Sequence, residues 1–398
     1  MEANPQLKYV EDPKINEKVA EIIEELKNEI ISRFSPKSII ISGSFGRGEA
    51  TVIEENGRLK FLSDCEVILI PYKWVFNRRR LDEFEEEFYR RTGLKIEIWG
   101  FTPTIYLLVP FMRKRIKPSI ANYDLKYGSK VIYGKNYLEK IPSFKPEDIP
   151  LWEGIKLILN RMAEALEHFS PHSPTDEMVF WTDKIVLACQ DALLLTIGRY
   201  TPSCEERNRV FKESIDKFNI SCVQALANFA VDATNRKLNI LNGTPQDKER
   251  YWFQVSRICD EVLRYIVKVG YELDFSDWLD FQRKYMNSNL KDYTTLPFNN
   301  AILQNLFRFL KKWILKYKLP NLKMMMKPYI KWDQILYSHI PMLYFGIRED
   351  LGVEDKYLEK VAGLLKMLGY KTKIDSYSFK EWMRKKETFI MCWHQLQL

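Results

Sequence analysis

The chain has 398 residues, of which 46% are hydrophobic and 29% charged, and its net charge is +8. This length suffices for two or three domains, and the composition is that of a folded globular protein. Six cysteines without a C-x-x-C pair and four scattered histidines argue against a disulfide framework and against a structural zinc site. The N-terminus lacks a signal-peptide core and no run approaches the roughly 20 apolar residues of a membrane helix, so we expect a cytoplasmic protein without a membrane partner.

The residues up to 145 alternate between helical and strand patterns. Apolar side chains at helical spacing predict helices, and runs of β-branched residues bounded by turn signals predict strands. In chain order the patterns predict a helix over 15–34, a strand over 38–42, a hairpin over 51–62, a strand over 62–70, a helix over 77–93, a strand over 94–101 and a closing segment over 129–138. Asn56-Gly57 supplies the hairpin turn. A small sheet with flanking helices is therefore expected in this part of the chain.

Three prolines at positions 142, 146 and 150 mark a linker, after which helical patterns dominate. These patterns predict helices over 151–169, 175–198, 203–217, 221–236, 247–270 and 298–318. The fold class predicted for the whole chain is α+β. We predict an N-terminal α/β domain over 1–145, a helical domain over 151–272 and a C-terminal helical region over 273–398.

Acidic residues lie inside two of the predicted strands. Because side chains alternate along a strand, Asp64 and Glu66 share one face and Cys65 points to the other. Glu97 has a similar setting between two isoleucines in the sequence "KIEIW". Neighbouring carboxylates repel each other, and a divalent cation such as Mg²⁺, which prefers oxygen ligands, resolves that conflict. The alternative is a solvent-facing stripe on a half-buried sheet.

A glycine-rich stretch, "GSFGRG", directly follows the predicted strand over 38–42. Gly43 and Ser44 leave backbone N–H groups and a hydroxyl free to face a phosphate. Gly46 and Gly48 allow close backbone approach, and Arg47 adds positive charge. The alternative for this stretch is an ordinary flexible turn.

Together these features resemble the nucleotidyltransferase superfamily with the DNA polymerase β-type fold. The resemblance covers about residues 20–140, and the matching positions are Gly43, Ser44, Asp64, Glu66 and Glu97. The sequence departs from the family pattern in having Glu as the second acid. It also places 19 residues between the serine and the first acid, an excess that the predicted hairpin accounts for.

The resemblance implies an enzyme that moves a nucleoside monophosphate from a nucleoside triphosphate, with ATP among the candidates, to an acceptor hydroxyl. It implies two Mg²⁺ ions, replaceable by Mn²⁺, held by Asp64 and Glu66, with Glu97 as a further ligand of one ion and as the group nearest the acceptor. Gly43 and Ser44 would hold the phosphates that leave as pyrophosphate. The acceptor stays open among a small molecule, a polynucleotide and a protein. The alternative function is a catalytically silent module that binds nucleotide or RNA.

The helical half offers further candidates. Residues 181–211 resemble the helical segment that follows the catalytic domain in several members of this superfamily. Lys184 is a candidate for binding the triphosphate, against the alternative of a surface lysine, and Tyr200 is either a base-stacking residue or a core tyrosine. Arg161 and His168 resemble the Arg-x(4–6)-His motif of helical HEPN ribonucleases, against the alternative of a chance spacing.

The segment over 308–332 contains eight basic residues and no acid, interleaved with aromatic residues. A groove that binds nucleic acid has this composition. The apolar residues of the segment also fall at helical spacing, which favours a buried helix whose basic face is solvated. The sequence therefore favours the solvated helix and leaves a polynucleotide acceptor open.

Overall fold

The computed structural model of the chain describes residues 7–55, 57–71, 78–99, 116–238, 243–288, 332–370 and 372–396. The predicted helix over 298–318 and nearly all of the basic segment over 308–332 lie outside the described residues. Contacts divide the chain into two units. The first unit contains Met1–Ile149, Gly198–Val210 and Val231–Gly243, and the second contains the rest. The prediction from sequence had placed the two later segments of the first unit within a helical domain.

The first unit is an α+β structure. Its elements in chain order are α1 (Pro13–Phe34), β1 (Pro36–Ser42), α2 (Gly43–Arg47), β2 (Val52–Glu55), β3 (Arg58–Phe61), β4 (Cys65–Pro71), α3 (Arg78–Thr92), β5 (Ile96–Trp99), α4 (Ile120–Gly128) and β6 (Lys130–Gly134). Four strands form a sheet in the order β5-β4-β1-β6, and β2 pairs with β3 in the predicted hairpin. Strand β4 is antiparallel to β1 and parallel to β5, with α3 as the connection that a parallel pair requires.

The sheet is buried on both faces along its two central strands, which explains their continuous apolar sequence. Cys65, Val67 and Leu69 of β4 pack in one apolar cluster with buried residues of α1 and α3. Ile68 and Ile70 belong to a second cluster on the opposite face. The polar residues that interrupt this pattern lie at one end of β4, and this end carries the candidate site.

The remaining elements are helices. They are α5 (Leu151–His168), α6 (Asp176–Thr196), α7 (Cys204–Lys212), α8 (Val223–Lys237), α9 (Lys248–Tyr271), α10 (Trp278–Asn287), α11 (Trp332–Tyr344), α12 (Asp355–Met367) and α13 (Phe379–Leu396). The boundary between the units falls within α7 and α8. Within the second unit, α5, α6 and α9 pack against one another through buried apolar faces. Across the described stretches of the chain, no helix is both long enough and apolar enough to span a bilayer.

Candidate functional site

The glycine-rich stretch forms a single short helical turn between β1 and the residues that lead to the hairpin. Gly43 opens this turn, α2, with a φ of +61°, and Gly48 closes it with a φ of +79°. Gly46 lies against backbone, since a Cβ at this position would meet the carbonyl oxygen of Ile41 at 2.6 Å. The predicted loop is thus a compact turn whose glycines are required by positive φ or by close backbone contact.

The carboxylate of Glu66 packs directly on Gly43. A Cβ at Gly43 would lie 2.8 Å from the carboxyl carbon of Glu66 and 3.0 Å from each of its oxygens. The antiparallel pairing of β1 with β4, in which Ser42 faces Glu66, creates this contact. The first residue of the glycine turn and the second predicted acid therefore form one local structure, which depends on the absence of a side chain at position 43.

Glu66 and Glu97 lie side by side on neighbouring strands. They are direct partners in the parallel pairing of β4 with β5, so their side chains leave the same face of the sheet. Asp64 precedes β4 by one residue and is exposed, whereas Glu66 is half-buried. The sheet thus brings two of the predicted acids to one position and leaves the third at the adjoining strand end.

Lys95 joins Asp64 to Glu97. Its Nζ lies 2.9 Å from Oδ2 of Asp64 and 3.4 Å from Oε1 of Glu97. Partial burial lowers the pKa of Lys95, but the hydrogen bond from its ammonium to Asp64 and the charge of Glu97 outweigh that effect and leave the pKa raised. A single positive charge therefore bridges two of the predicted acids from neighbouring chain segments.

The surroundings of Glu66 raise the pKa of its carboxyl group. Burial raises its pKa above the ordinary value of 4.5, and the nearby positive charge of Arg47 only partly offsets this. The carboxylates of Glu97, Asp124 and Asp64 raise the pKa of Glu66 further. Perturbed carboxyl groups of this kind are common at functional sites, because a site that must attract a cation gathers like charges.

The donor set suits a hard divalent cation. Three carboxylates lie at one end of the sheet, and the ammonium of Lys95 lies between two of them, where a metal ion could bind. Within the described part of the chain, no group of three or more His, Cys, Asp or Glu side chains is arranged as it stands to hold a metal ion. Binding by Asp64, Glu66 and Glu97 together therefore requires their side chains to rotate toward one another.

Arg47, predicted from its sequence context to bind nucleotide, lies in a buried ion-pair network of the first unit. Its Nε is 3.3 Å from Oε2 of Glu49, and its Nη1 is 3.4 Å from Oδ2 of Asp124. Tyr200 is 2% exposed and donates a hydrogen bond of 2.9 Å to Asp124, so it is a core tyrosine. In this arrangement Arg47 stabilises the end of the glycine turn.

Glu49 is the centre of this network. Its Oε1 accepts a hydrogen bond of 2.7 Å from the backbone N–H of Cys204, and Lys237 lies 3.9 Å from its Oε2. Burial raises the pKa of Glu49, but the charges of Lys237, Arg47 and Arg207 and the bond from Cys204 together lower it below 4.5. The charge of Glu49 thus connects the glycine turn to residues more than 150 positions later in the chain.

Replacing Glu49 by Gln should destabilise the protein in a pH-dependent manner. Because the folded-state pKa of Glu49 lies below 4.5, its stabilising effect is present above that pH and is lost as the pH falls through the folded-state value. We expect Glu49→Gln to lower the free energy of unfolding by about 1–3 kcal/mol at pH 7, because it leaves cations poorly paired.

Urea unfolding of the wild type and the Glu49→Gln variant, repeated from pH 7 down to pH below 4, measures this difference. Glu55→Gln is a matched control, since Glu55 pairs with Lys60 on the surface and its replacement should change the free energy of unfolding by less than about 1 kcal/mol. An equal loss for Glu49→Gln at every pH would contradict the assignment of its effect to charge.

The remaining candidates lie in the second unit. The ammonium of Lys184 lies 4.0 Å from the ring centroid of Trp181 and 4.4 Å from that of Phe180. Arg161 pairs with Glu164, and His168 stacks on Trp181 with 5.3 Å between the ring centroids. Nucleotide binding by Lys184 stays a prediction.

Three residues around the site, Lys95, Asp124 and Glu49, were not predicted from the sequence. The position of Lys95 beside the acids could have been predicted, because Lys95 precedes Glu97 by two positions and side chains two apart in an extended segment share a face. Asp124 lies far in sequence from its partners Arg47 and Tyr200. Glu49 is two positions from Arg47, but its partners Cys204 and Lys237 are distant, and only the folded chain brings them to it.

No protein-family model matches the chain, and no curated protein matches it in sequence.

Proposed function

We propose that the first unit is a metal-dependent nucleotidyltransferase of the DNA polymerase β-type fold. The observation that carries the proposal is the packing of the Glu66 carboxylate on Gly43, with Glu97 beside it in register. A solvent-facing acidic stripe needs no such contact with a glycine turn. A site that holds phosphates at the turn and a cation at the acids needs the two features together.

The order of elements supports the proposal. A strand, a glycine turn, an antiparallel strand with the acid pair at its start, a helix and a parallel strand with a third acid follow one another from β1 to β5. The motifs of the nucleotidyltransferase superfamily follow one another in the same order. The hairpin of β2 and β3 occupies the longer interval between Ser44 and Asp64, so the unusual spacing does not disturb the sheet.

In the proposed reaction, Asp64, Glu66 and Glu97 would hold the divalent cation. When bound, such a cation neutralises the negative charge that builds on the phosphates during in-line transfer. The backbone of Gly43 and the hydroxyl of Ser44 bind and orient the β- and γ-phosphates. The exposed carboxylate of Glu97 accepts the proton of the acceptor hydroxyl. The acceptor oxygen then forms a bond to the α-phosphorus, and the bond from that phosphorus to the leaving pyrophosphate breaks.

Incubation with each α-labelled nucleoside triphosphate, Mg²⁺ and a cell extract tests this function. We expect label to appear on one class of acceptor with release of pyrophosphate, and chelation of the metal should abolish the transfer. Fractionation into small molecules, nucleic acid and protein then identifies the acceptor class. Absence of metal-dependent labelling with all four nucleotides would contradict the proposed enzyme.

One observation favours a second candidate, a catalytically silent module that binds nucleotide or RNA. The ammonium of Lys95 already offsets one of the two negative charges of Asp64 and Glu97, so the acids are partly balanced without a metal ion. Such a module would bind its ligand equally well with and without Mg²⁺. The enzyme instead requires the metal for productive binding of the triphosphate, so a nucleotide-binding titration with and without chelator separates the two.

A further inference from the structure

We infer that Lys95 is a tethered cation that competes with the divalent metal for Asp64 and Glu97. This inference rests on the proposed function and adds a device that sets the metal affinity of the site. Lys95 lies immediately before β5, and Asp64 lies immediately before β4, its parallel neighbour. The pairing of these strands therefore fixes both residues at one end of the sheet.

The geometry makes ammonium and metal mutually exclusive. A Lys95 Nζ at 2.9 Å from Asp64 and 3.4 Å from Glu97 occupies the space between the two carboxylates. A divalent cation bound by the same oxygens would lie beside a full positive charge. Binding of the metal therefore requires Lys95 to leave, and binding of Lys95 leaves the acids with fewer free oxygens.

The pairing is weak enough to be displaced. The side chains of Lys95, Asp64 and Glu97 are 59%, 43% and 41% exposed, respectively. Ion pairs at such exposed sites contribute little, because water and salt screen them, and the four-carbon chain of lysine reaches solvent easily. In the metal-free protein, Lys95 thus reduces the repulsion between the acids. At a high metal concentration, the metal displaces it.

Titration with Mn²⁺ alone, followed by electron paramagnetic resonance of the free ion, tests this inference on the full-length chain. Lys95→Met should bind Mn²⁺ about threefold to tenfold more tightly than the wild type, which is the effect of removing two exposed ion pairs. Lys60→Met is the matched control, because it removes an equally exposed lysine that pairs with Glu55 on the hairpin. That control should leave the Mn²⁺ affinity unchanged.

The thermal unfolding midpoint provides a second readout. In the presence of chelator, Lys95→Met should unfold at a lower temperature than the wild type, because the carboxylates then repel one another. Added Mn²⁺ should raise the midpoint of Lys95→Met more than that of the wild type, since a ligand stabilises the state that binds it more tightly. Adding Asp64→Asn to Lys95→Met should remove this gain.

The outcomes separate the inference from the proposed function. Tighter Mn²⁺ binding by Lys95→Met, with unchanged binding by Lys60→Met, supports the inference. Mn²⁺ binding by Lys95→Met when the wild type binds none supports it more strongly. Equal or weaker binding by Lys95→Met, when the wild type binds Mn²⁺ and Asp64→Asn does not, overturns the inference and leaves the metal site standing. Binding by neither the wild type nor Lys95→Met overturns both.

Discussion

Asp64→Asn should reduce nucleotide transfer by about a hundredfold or more while leaving the protein folded. The amide lacks the charge that a cation ligand supplies, and loss of one stabiliser of transition-state charge has this magnitude. Asp64 is exposed and pairs only with the flexible Lys95 among the described contacts, so its replacement should change the free energy of unfolding by less than about 1 kcal/mol. Initial rates of label transfer and urea unfolding of the same preparation measure the two effects.

Asp82→Asn is the matched control for this prediction. Asp82 lies on α3 in the same unit, is similarly exposed and pairs with Arg78. The control variant should transfer label at the rate of the wild type. Unchanged transfer in Asp64→Asn would contradict the proposed mechanism, and extensive unfolding of that variant would show that Asp64 has a structural role instead.

Gly43→Ala should lose both stability and transfer. Alanine at a φ of +61° is strained by about 1–2 kcal/mol, and its Cβ would lie 2.8 Å from the carboxyl carbon of Glu66. Glu66 must then shift by a fraction of an ångström or more, and displacements near 1 Å at a reacting site reduce rates by about a hundredfold. We expect a loss of at least about 2 kcal/mol in the free energy of unfolding together with that loss of rate.

Gly57→Ala measures the effect on stability of backbone strain alone, without a steric contact. Gly57 has a φ of +75°, but no atom of the described chain lies within 4 Å of a Cβ added there. This variant should lose about 1–2 kcal/mol of stability through strain alone and retain transfer. Equal effects of Gly43→Ala and Gly57→Ala on both stability and rate would show that the contact with Glu66 is unimportant.

The elements nearest the site were accessible from sequence because their signals are local. The run "SIII" and the run "EVILI" are typical of strands, and both are central strands of the sheet. Strand alternation predicts that Asp64 and Glu66 share one side, and Asp64 lies one residue before β4. The Asn-Gly turn predicted the hairpin, which β2 and β3 form. Of the helical patterns after residue 151, those over 151–169, 175–198, 221–236 and 247–270 gave helices with ends within a few residues of the prediction. The helix predicted over 203–217 ends earlier, at Lys212, and the one predicted over 298–318 lies outside the described residues.

The features that required the folded chain are non-local. The register that sets Glu66 beside Glu97 depends on a parallel pairing across α3, which no turn chemistry specifies. The glycine stretch is a helical turn and not an open loop, because positive φ at both of its ends lets it close on itself. Arg47 is the clearest case, since its partner Asp124 lies 77 residues away and draws it into a buried ion pair.

The most direct test of the central claim is the anomalous diffraction of a crystal grown with Mn²⁺ and a non-hydrolysable nucleoside triphosphate. The account predicts Mn²⁺ bound to carboxylate oxygens of Asp64 and Glu66, with the triphosphate on the backbone of Gly43 and the hydroxyl of Ser44 and with Lys95 turned away. Mn²⁺ and triphosphate bound at another surface, with Lys95 still on Asp64 and Glu97, would contradict it.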